Sequence, residues 1–167
     1  MNDVLRDMLT LAKGEALSGI TKVNADVSKI ADSTCLQFDA VAFEKNITLE
    51  SRIQENVFAD CDEKMIRRLF TILIDNAVKY EPEGGKVFAA LQKNGNKTTF
   101  AVRNCGSTVK KEDLPHLFER FYRADKSRSG GGVGLGLAIA KNIADLHSGT
   151  IKAASSETTG TLFIAEF

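Results

Sequence analysis

A cluster of glycines in the C-terminal third of the chain is the clearest indication of chemistry. Residues 129–139 read Ser-Gly-Gly-Gly-Val-Gly-Leu-Gly-Leu-Ala-Ile, with five glycines in seven residues. Without β-carbons, this backbone can take a positive φ and approach a ligand closely. The apolar residues from Leu135 to Leu146 then follow helical spacing, so the glycines lead into a helix N-terminus, which favours an anion. The pattern predicts a phosphate site, with a flexible surface loop as the alternative. No Gly-Lys-Ser/Thr follows, so it is not a P-loop.

A second set of side chains shares one face of a helix predicted over 63–80. The set falls at i, i+4, i+7 and i+8 and comprises Ile72, Asn76, Lys79 and Tyr80. The carbonyl oxygen of Asn76 suits Mg²⁺, Lys79 can neutralise phosphate, and Tyr80 can cover a base or ribose. A solvated polar face is the alternative for this set. Together with the glycine cluster, it favours a nucleotide site.

The composition favours one globular domain and limits the partners. Twenty-two basic residues balance 22 acidic ones among 167, and 43% of residues are hydrophobic. We therefore expect a core of ordinary size and no general nucleic-acid surface. With no run of 18 apolar residues and no signal peptide, we expect neither a membrane span nor secretion. Cys35, Cys61 and Cys105 lack metal spacing, and we interpret them as reduced thiols that act as small hydrophobes.

The hydrophobic pattern predicts blocks of helices alternating with blocks of antiparallel strands. Helices are predicted over 27–46, 63–80, 114–122 and 136–148, and strands over 47–53, 57–58, 86–93, 97–103, 150–154 and 161–167. Asp60 and Glu63 form a possible capping box, and Asn94-Gly95 predicts a type I′ hairpin. Residues 1–15 carry an apolar stripe at a/d-like spacing. It indicates the end of a longer helix that needs a partner, or else a short helix packed on its own domain. The order of elements predicts an α+β fold.

Three motifs resemble those of sensor histidine kinases. Residues 75–85, Asp-Asn-Ala-Val-Lys-Tyr-Glu-Pro-Glu-Gly-Gly, are similar to the asparagine box of that family. Residues 118–127, Phe-Glu-Arg-Phe-Tyr-Arg-Ala-Asp-Lys-Ser, resemble its phenylalanine box, and residues 132–137, Gly-Val-Gly-Leu-Gly-Leu, its second glycine box. They occur in the family's order and spacing. The similarity assigns residues 1–19 to the end of a dimerisation helix and linker, and residues 20–167 to a catalytic ATP-binding domain.

The resemblance implies the GHKL fold, a two-layer α/β sandwich whose mixed, largely antiparallel sheet is covered by helices on one face. Mg-ATP would lie between the asparagine-box helix and a mobile lid between Arg123 and Gly132. Asn76 would hold Mg²⁺, Lys79 and Arg123 would meet phosphates, and Tyr80 would line the adenosine. The ATP-site residues implied in this way are Asn76, Lys79, Tyr80, Asn104, Gly106, Val109, Phe121, Tyr122, Arg123, Gly132, Val133, Gly134, Leu135, Gly136 and Leu137.

The chain departs from the family's pattern at three positions, which lie in two motifs. The first glycine box of the family runs Asp-X-Gly-X-Gly-Ile, whereas residues 104–109 read Asn-Cys-Gly-Ser-Thr-Val. Asn104 therefore replaces the adenine-reading Asp, and Thr108 replaces the second Gly. Ile72 stands where the family commonly has Asn, and where hydrolytic relatives such as gyrase carry a water-activating Glu. Because Ile cannot remove a proton from water, an efficient ATPase is disfavoured.

The chain's two histidines do not match the phosphoacceptor of the family, which is a His followed by Glu and then Pro. We interpret His116 as structural and His147 as a cation-favouring group in the last turn of a helix. The acceptor helix is then expected upstream of Met1.

The resemblance as a whole implies the ATP-binding catalytic domain of a two-component sensor histidine kinase, with ATP and Mg²⁺ as cofactors and an upstream dimerisation and phosphoacceptor domain. The full-length protein would be a homodimer anchored in the cell membrane, with this domain cytoplasmic and a response regulator, not nucleic acid, as its partner. Two alternatives stay open. One is an anti-sigma-factor serine kinase or another GHKL ATPase, and the other is a catalytically weakened nucleotide-binding or docking module.

Overall fold

The computed structural model describes residues 20–124 and 133–167. The predicted dimerisation-helix segment over 1–19, most of the predicted lid and Gly132 lie outside these ranges.

The described residues form three α-helices, a short 3-10 helix and seven strands arranged in two sheets. In chain order these are β1 (Val23–Asp26), α1 (Val27–Glu44), β2 (Thr48–Ile53), β3 (Phe58–Cys61), α2 (Glu63–Tyr80), β4 (Lys86–Asn94), β5 (Lys97–Asn104), the 3-10 helix (Leu114–His116), α3 (Gly136–Leu146), β6 (Thr150–Ser156) and β7 (Gly160–Glu166). The main sheet has the order β2-β4-β5-β7-β6, and β1 pairs with β3 in a separate sheet. Only the β2–β4 pair is parallel in the main sheet. The predicted α+β class with a mixed, largely antiparallel sheet is confirmed.

The core lies between one face of the main sheet and the helices. Alternate residues Val87, Ala89 and Leu91 of β4 are buried, as period-2 patterning requires of a sheet face covered by helices. Phe70 of α2 stacks on Phe100 of β5, with ring centroids 3.8 Å apart. Burial of one such ring stabilises the fold by about 1.5–3 kcal/mol relative to leaving it exposed. This packing fixes α2 along the sheet.

The turn between β4 and β5 differs by one residue from the predicted one. Asn94 pairs with Lys97, so the loop residues are Gly95 and Asn96, not Asn94 and Gly95. Of the two, only Gly95 has a positive φ, of 59°. A positive φ at the first loop residue alone is the type II′ pattern, so the predicted type I′ turn is wrong.

The capping residue of one predicted helix and the extent of another differ from the sequence prediction. Asp62, not Asp60, caps α2, because its carboxylate accepts the N–H groups of Lys64 and Met65 at 3.1 Å. Asp60 instead belongs to β3. The helix predicted over 114–122 is only a 3-10 turn over Leu114–His116. Phe121 takes a φ of +63°, which a right-handed helix cannot contain.

His147 is structural, as predicted, but it is not a cation. It lies directly after α3 and is buried, with its Nδ1 donating to the carbonyl of Ile143 at 2.8 Å. Its Nε2 accepts the N–H of Asp62 at 3.0 Å, which requires that nitrogen to be unprotonated. Burial lowers the pKa of the imidazole below its ordinary value. The neutral ring therefore joins the end of α3 to the start of α2.

Cys35 and Cys61 behave as small hydrophobes, as the sequence indicated, whereas Cys105 is partly exposed. All three are free thiols, and Cys35 and Cys61 are buried. Burial raises the pKa of both buried thiols to about 11, so they stay protonated at neutral pH. Within residues 20–124 and 133–167, no helix is long and apolar enough to cross a lipid bilayer.

Candidate nucleotide-binding site

The last turns of α2 carry the polar face that the sequence predicted. Asn76, Lys79 and Tyr80 are partly exposed, whereas Ala77 and Val78 between them are buried in the core. Lys79 Nζ lies 5.8 Å from the centroid of the Tyr80 ring. The structure thus places an amide, a cation and an aromatic ring on one helix end, which Ala77 and Val78 anchor in the core.

The N-terminus of α3 lies against the same helix. A β-carbon added to Gly136 would lie 3.5 Å from Cγ2 of Ile72, which is one turn before Asn76. The N-cap residue of α3, Leu135, provides no capping side chain. The first N–H groups of a helix without such a cap remain available to an anion, and the helix dipole favours one there. Ile72 itself is 8% exposed and acts as packing beneath this helix start.

The second glycine box and the phenylalanine box meet through their backbones. The N–H of Phe121 donates to the carbonyl of Gly134 at 2.9 Å. Gly134 has a φ of +80°, and a β-carbon there would come within 2.8 Å of the carbonyl oxygen of Tyr122. Only glycine fits this close approach without strain. The predicted site residues Phe121, Tyr122 and Gly134 therefore form one unit.

The side chains of the phenylalanine box differ in exposure and in their contacts. Phe121 is 55% exposed, and Val133, which precedes Gly134, is 44% exposed. Tyr122 is held, because its hydroxyl donates to the carboxylate of Asp113. This bond is the main cause that raises the pKa of Tyr122 to about 12. Tyr122 therefore anchors the phenylalanine box and does not offer a free phenol to a ligand. Arg123 follows it and is partly exposed.

The first glycine box is fixed by polar contacts that sequence analysis did not identify. Asn104 ends β5 and is 2% exposed, and its Nδ2 donates to the carbonyl of Ser107 at 3.1 Å. The hydroxyl of Thr161 donates to the same carbonyl at 2.9 Å. Val109 donates its N–H to Oγ of Ser155 at 2.9 Å. These contacts hold the loop to β6 and β7 and fix the side-chain amide of Asn104.

The residues of this site suit Mg²⁺ only when the ion is also bound by phosphate groups of a ligand. Among the described residues, no group of three or more His, Cys, Asp or Glu side chains is placed to hold a metal ion. The amide oxygen of Asn76 is a hard oxygen donor of the kind Mg²⁺ accepts, and Mg²⁺ usually binds through few protein ligands together with substrate phosphates and water. The donor set therefore suits a nucleotide-bound Mg²⁺ and does not form an all-protein cage.

Comparison with known proteins defines the class of the chain. Residues 61–167 match the family described as histidine kinase-, DNA gyrase B-, and HSP90-like ATPase, and the chain belongs to this family. Among curated relatives, the sensor histidine kinase YkoH of Bacillus subtilis is 36% identical over 169 residues. That similarity covers 100% of this chain and 36% of YkoH, so the chain spans little more than a third of this relative. The resemblance inferred from the three motifs is confirmed.

Solved structures of histidine kinases share the fold. The full-length ShkA structure in complex with AMPPNP has a TM-score of 0.85 at 23% identity, over 98% of this chain and 35% of ShkA. The histidine kinase ThkA in complex with the response regulator TrrA has a TM-score of 0.77 at 21% identity, over 99% of this chain and 48% of ThkA. The predicted GHKL architecture is therefore confirmed, and ATP is the ligand that the family indicates.

Proposed function

We propose that this chain is the ATP-binding catalytic domain of a two-component sensor histidine kinase. It binds Mg-ATP between the Asn76 face of α2 and the N-terminus of α3. It presents the γ-phosphoryl to a histidine on a helical domain that lies upstream in the longer protein. One observation carries the proposal: Ile72 packs against Gly136, which sets the start of α3, whose N-cap Leu135 has no capping side chain, beside the polar end of α2.

Each part of the site has a distinct task in this proposal. The first N–H groups of α3 and the cations of Lys79 and Arg123 offset phosphate charge, and Asn76 would hold the metal. Bound Mg²⁺ would neutralise the charge on the phosphate oxygens. On the base side, Oδ1 of Asn104 accepts a hydrogen bond from the exocyclic amine of adenine, and Tyr80 lines the adenosine. Such a site works by positioning and charge neutralisation, as phosphoryl transfer requires.

The phosphoacceptor has to come from another domain, because neither histidine of this chain suits the role. His147 is buried and uses both ring nitrogens in hydrogen bonds. His116 lies on the 3-10 turn and its Nδ1 contacts the carboxylate of Glu119 at 2.8 Å, outside any acceptor motif. The ThkA–TrrA complex supports a response regulator as the partner of the whole protein. A homodimeric, membrane-anchored full-length protein belongs to the same proposal.

The buried position of Ile72 argues against a hydrolytic ATPase. A general base has to reach the water it activates, and an aliphatic side chain that packs on Gly136 can neither reach nor deprotonate it. An anti-sigma-factor kinase would transfer the phosphoryl group to a serine, and a docking module would transfer none, so phosphotransfer assays separate both from the proposal.

The test is phosphotransfer from γ-labelled ATP. The 167-residue chain is incubated alone, and together with the upstream helical domain of the same protein. We expect acid-labile label on the helical domain only when both are present, and none when the chain carries Asn76→Ala. Label on the isolated chain would refute the proposal, as would release of inorganic phosphate without transfer. ATP binding without any transfer would identify a docking module.

A further inference from the structure

Glu81, the residue directly after α2, has a buried carboxylate that binds backbone N–H groups. It is 7% exposed. Its Oε1 accepts the N–H of Lys86 at 3.0 Å. The N–H of Gly106 donates to both carboxylate oxygens, at 3.1 Å and 3.0 Å. The ammonium of Lys86 lies elsewhere, 3.2 Å from Glu50. Burying a carboxylate costs free energy unless the group is hydrogen-bonded, and the N–H groups of Lys86 and Gly106 offset this cost.

Two glycines leave space for this carboxylate where any other residue would place a β-carbon. A β-carbon on Gly106 would lie 3.0 Å from Oε1 of Glu81 and 2.8 Å from Cδ of Pro82. A β-carbon on Gly85 would collide with the same oxygen. Two glycines that are far apart in the chain thus leave room for one side chain. The contact is therefore a specific junction between the end of α2 and the loop that follows β5.

We infer that Glu81 is a positioning residue for nucleotide binding, which acts by holding the first glycine box in register with the asparagine-box helix. Gly106 is two residues from Asn104, so the Glu81 carboxylate fixes the middle of the loop whose start carries the base-reading amide. The Ser107 carbonyl, bonded to Asn104 and Thr161, fixes the next residue. Glu81 thereby ties the base side of the site to the helix end that bears Lys79 and Tyr80. This inference rests on the proposed nucleotide site.

The substitution Glu81→Gln tests the role with little change in shape. The amide has one acceptor oxygen in place of two and brings an NH₂ group toward backbone N–H donors, so Gly106 loses its charge-assisted bond. Glu83→Gln is the matched control, because Glu83 is an exposed carboxylate two residues further along. Replacing a residue that only stabilises the fold and replacing a positioning residue both lower the stability of the protein. Only the loss of a positioning residue weakens binding of the base while binding of the phosphates is kept.

The measurement is competition of ATP and of inorganic tripolyphosphate, both with Mg²⁺, against a fluorescent ATP analogue. We expect Glu81→Gln to weaken ATP about tenfold, the worth of one charge-assisted hydrogen bond, and tripolyphosphate by less than about twofold. Glu83→Gln should leave both ligands unchanged. Unchanged ATP affinity in Glu81→Gln, or an equal loss for both ligands, would overturn the inference. Failure of the wild type to bind ATP would instead refute the proposed function.

Thermal unfolding of each variant accompanies the titrations, so that binding is compared only between folded proteins. If Glu81→Gln does not fold, Glu81→Asp takes its place, because it keeps the charge and shortens the reach by one methylene. The same selective loss of ATP over tripolyphosphate is then expected, and equal losses would again overturn the inference.

Discussion

A single added methyl group should lower ATP affinity at one of the two glycines beside Leu135 and leave it unchanged at the other. At Gly134, with φ at +80°, the new β-carbon would lie 2.8 Å from the carbonyl oxygen of Tyr122 and 3.0 Å from the carbonyl carbon of Phe121. These are backbone atoms and cannot rotate away. At Gly136, the β-carbon would meet only Cγ2 of Ile72, at the ordinary contact distance of 3.5 Å. Gly134→Ala and Gly136→Ala therefore form a matched pair.

The expected magnitude follows from these two environments. Placing Ala at a left-handed φ costs about 1–2 kcal/mol, and displacing the loop forfeits the Phe121–Gly134 hydrogen bond, worth about 1 kcal/mol. The sum of about 2–3 kcal/mol corresponds to an ATP affinity lower by roughly 30- to 150-fold. Ala in the first turn of α3 is a better helix former than Gly by up to about 1 kcal/mol. We therefore expect Gly136→Ala to bind ATP normally and to unfold at the same or a higher temperature.

Calorimetric titration with Mg-ATP, together with thermal unfolding, measures both effects. The reasoning is refuted if Gly134→Ala binds ATP as tightly as the wild type. It is also refuted if the two variants lose affinity equally, because the loop would then tolerate or reject a methyl group irrespective of φ and of the backbone contact.

The remaining predictions concern Asn76, Asn104 and His147. Asn76→Ala should weaken Mg-ATP about tenfold or more without lowering the unfolding temperature, whereas Ala at the exposed neighbour Asp75 should not, as calorimetry would show. The wild type should prefer ATP to GTP, because the Ser107 carbonyl holds the Asn104 amide with Oδ1 as the acceptor; equal competition by both nucleotides would contradict this. Asn104→Asp gains charge but loses that donor, so its ATP affinity should change by less than about fivefold. Burial lowers the pKa of His147 in the folded state, so the unfolded chain takes up a proton that the native chain does not. The unfolding free energy should therefore fall as the pH drops through about 6.5, and urea titrations should show a smaller fall for His147→Gln.

The sequence predicted the long elements because their patterns are strong and local. The helix over 63–80 has one apolar face over its full length, and it is found as Glu63–Tyr80. The β4–β5 turn was displaced by one residue because Asn94-Gly95 and Gly95-Asn96 are both acceptable turn pairs, and pairing along the whole hairpin decides between them. The helix over 114–122 was overestimated because the Phe121 backbone bonds to Gly134, a contact between distant residues that no local pattern reveals.

For the candidate site, the sequence identified the motifs but not the contacts that hold them. Its motif residues could be named from the sequence, since each motif is contiguous, and the structure brings the Asn76 face, the start of α3 and the phenylalanine box together. The residues that hold these motifs were missed, because Glu81 acts on Gly106 and Thr161 on Ser107, across 25 and 54 positions. Charge was also misjudged at His147, because a position at the end of a helix favours a cation only when the ring is solvated.

Calorimetric titration of the wild-type chain with ATP, in the presence and absence of Mg²⁺, tests the central claim most directly. A nucleotide site that contributes Asn76 and backbone N–H groups, without a carboxylate cage for metal, should bind one ATP per chain. That binding should be markedly tighter when Mg²⁺ is present, and Mg²⁺ alone should give no detectable heat. Absence of ATP binding under both conditions would contradict the account, as would tight binding of Mg²⁺ without nucleotide.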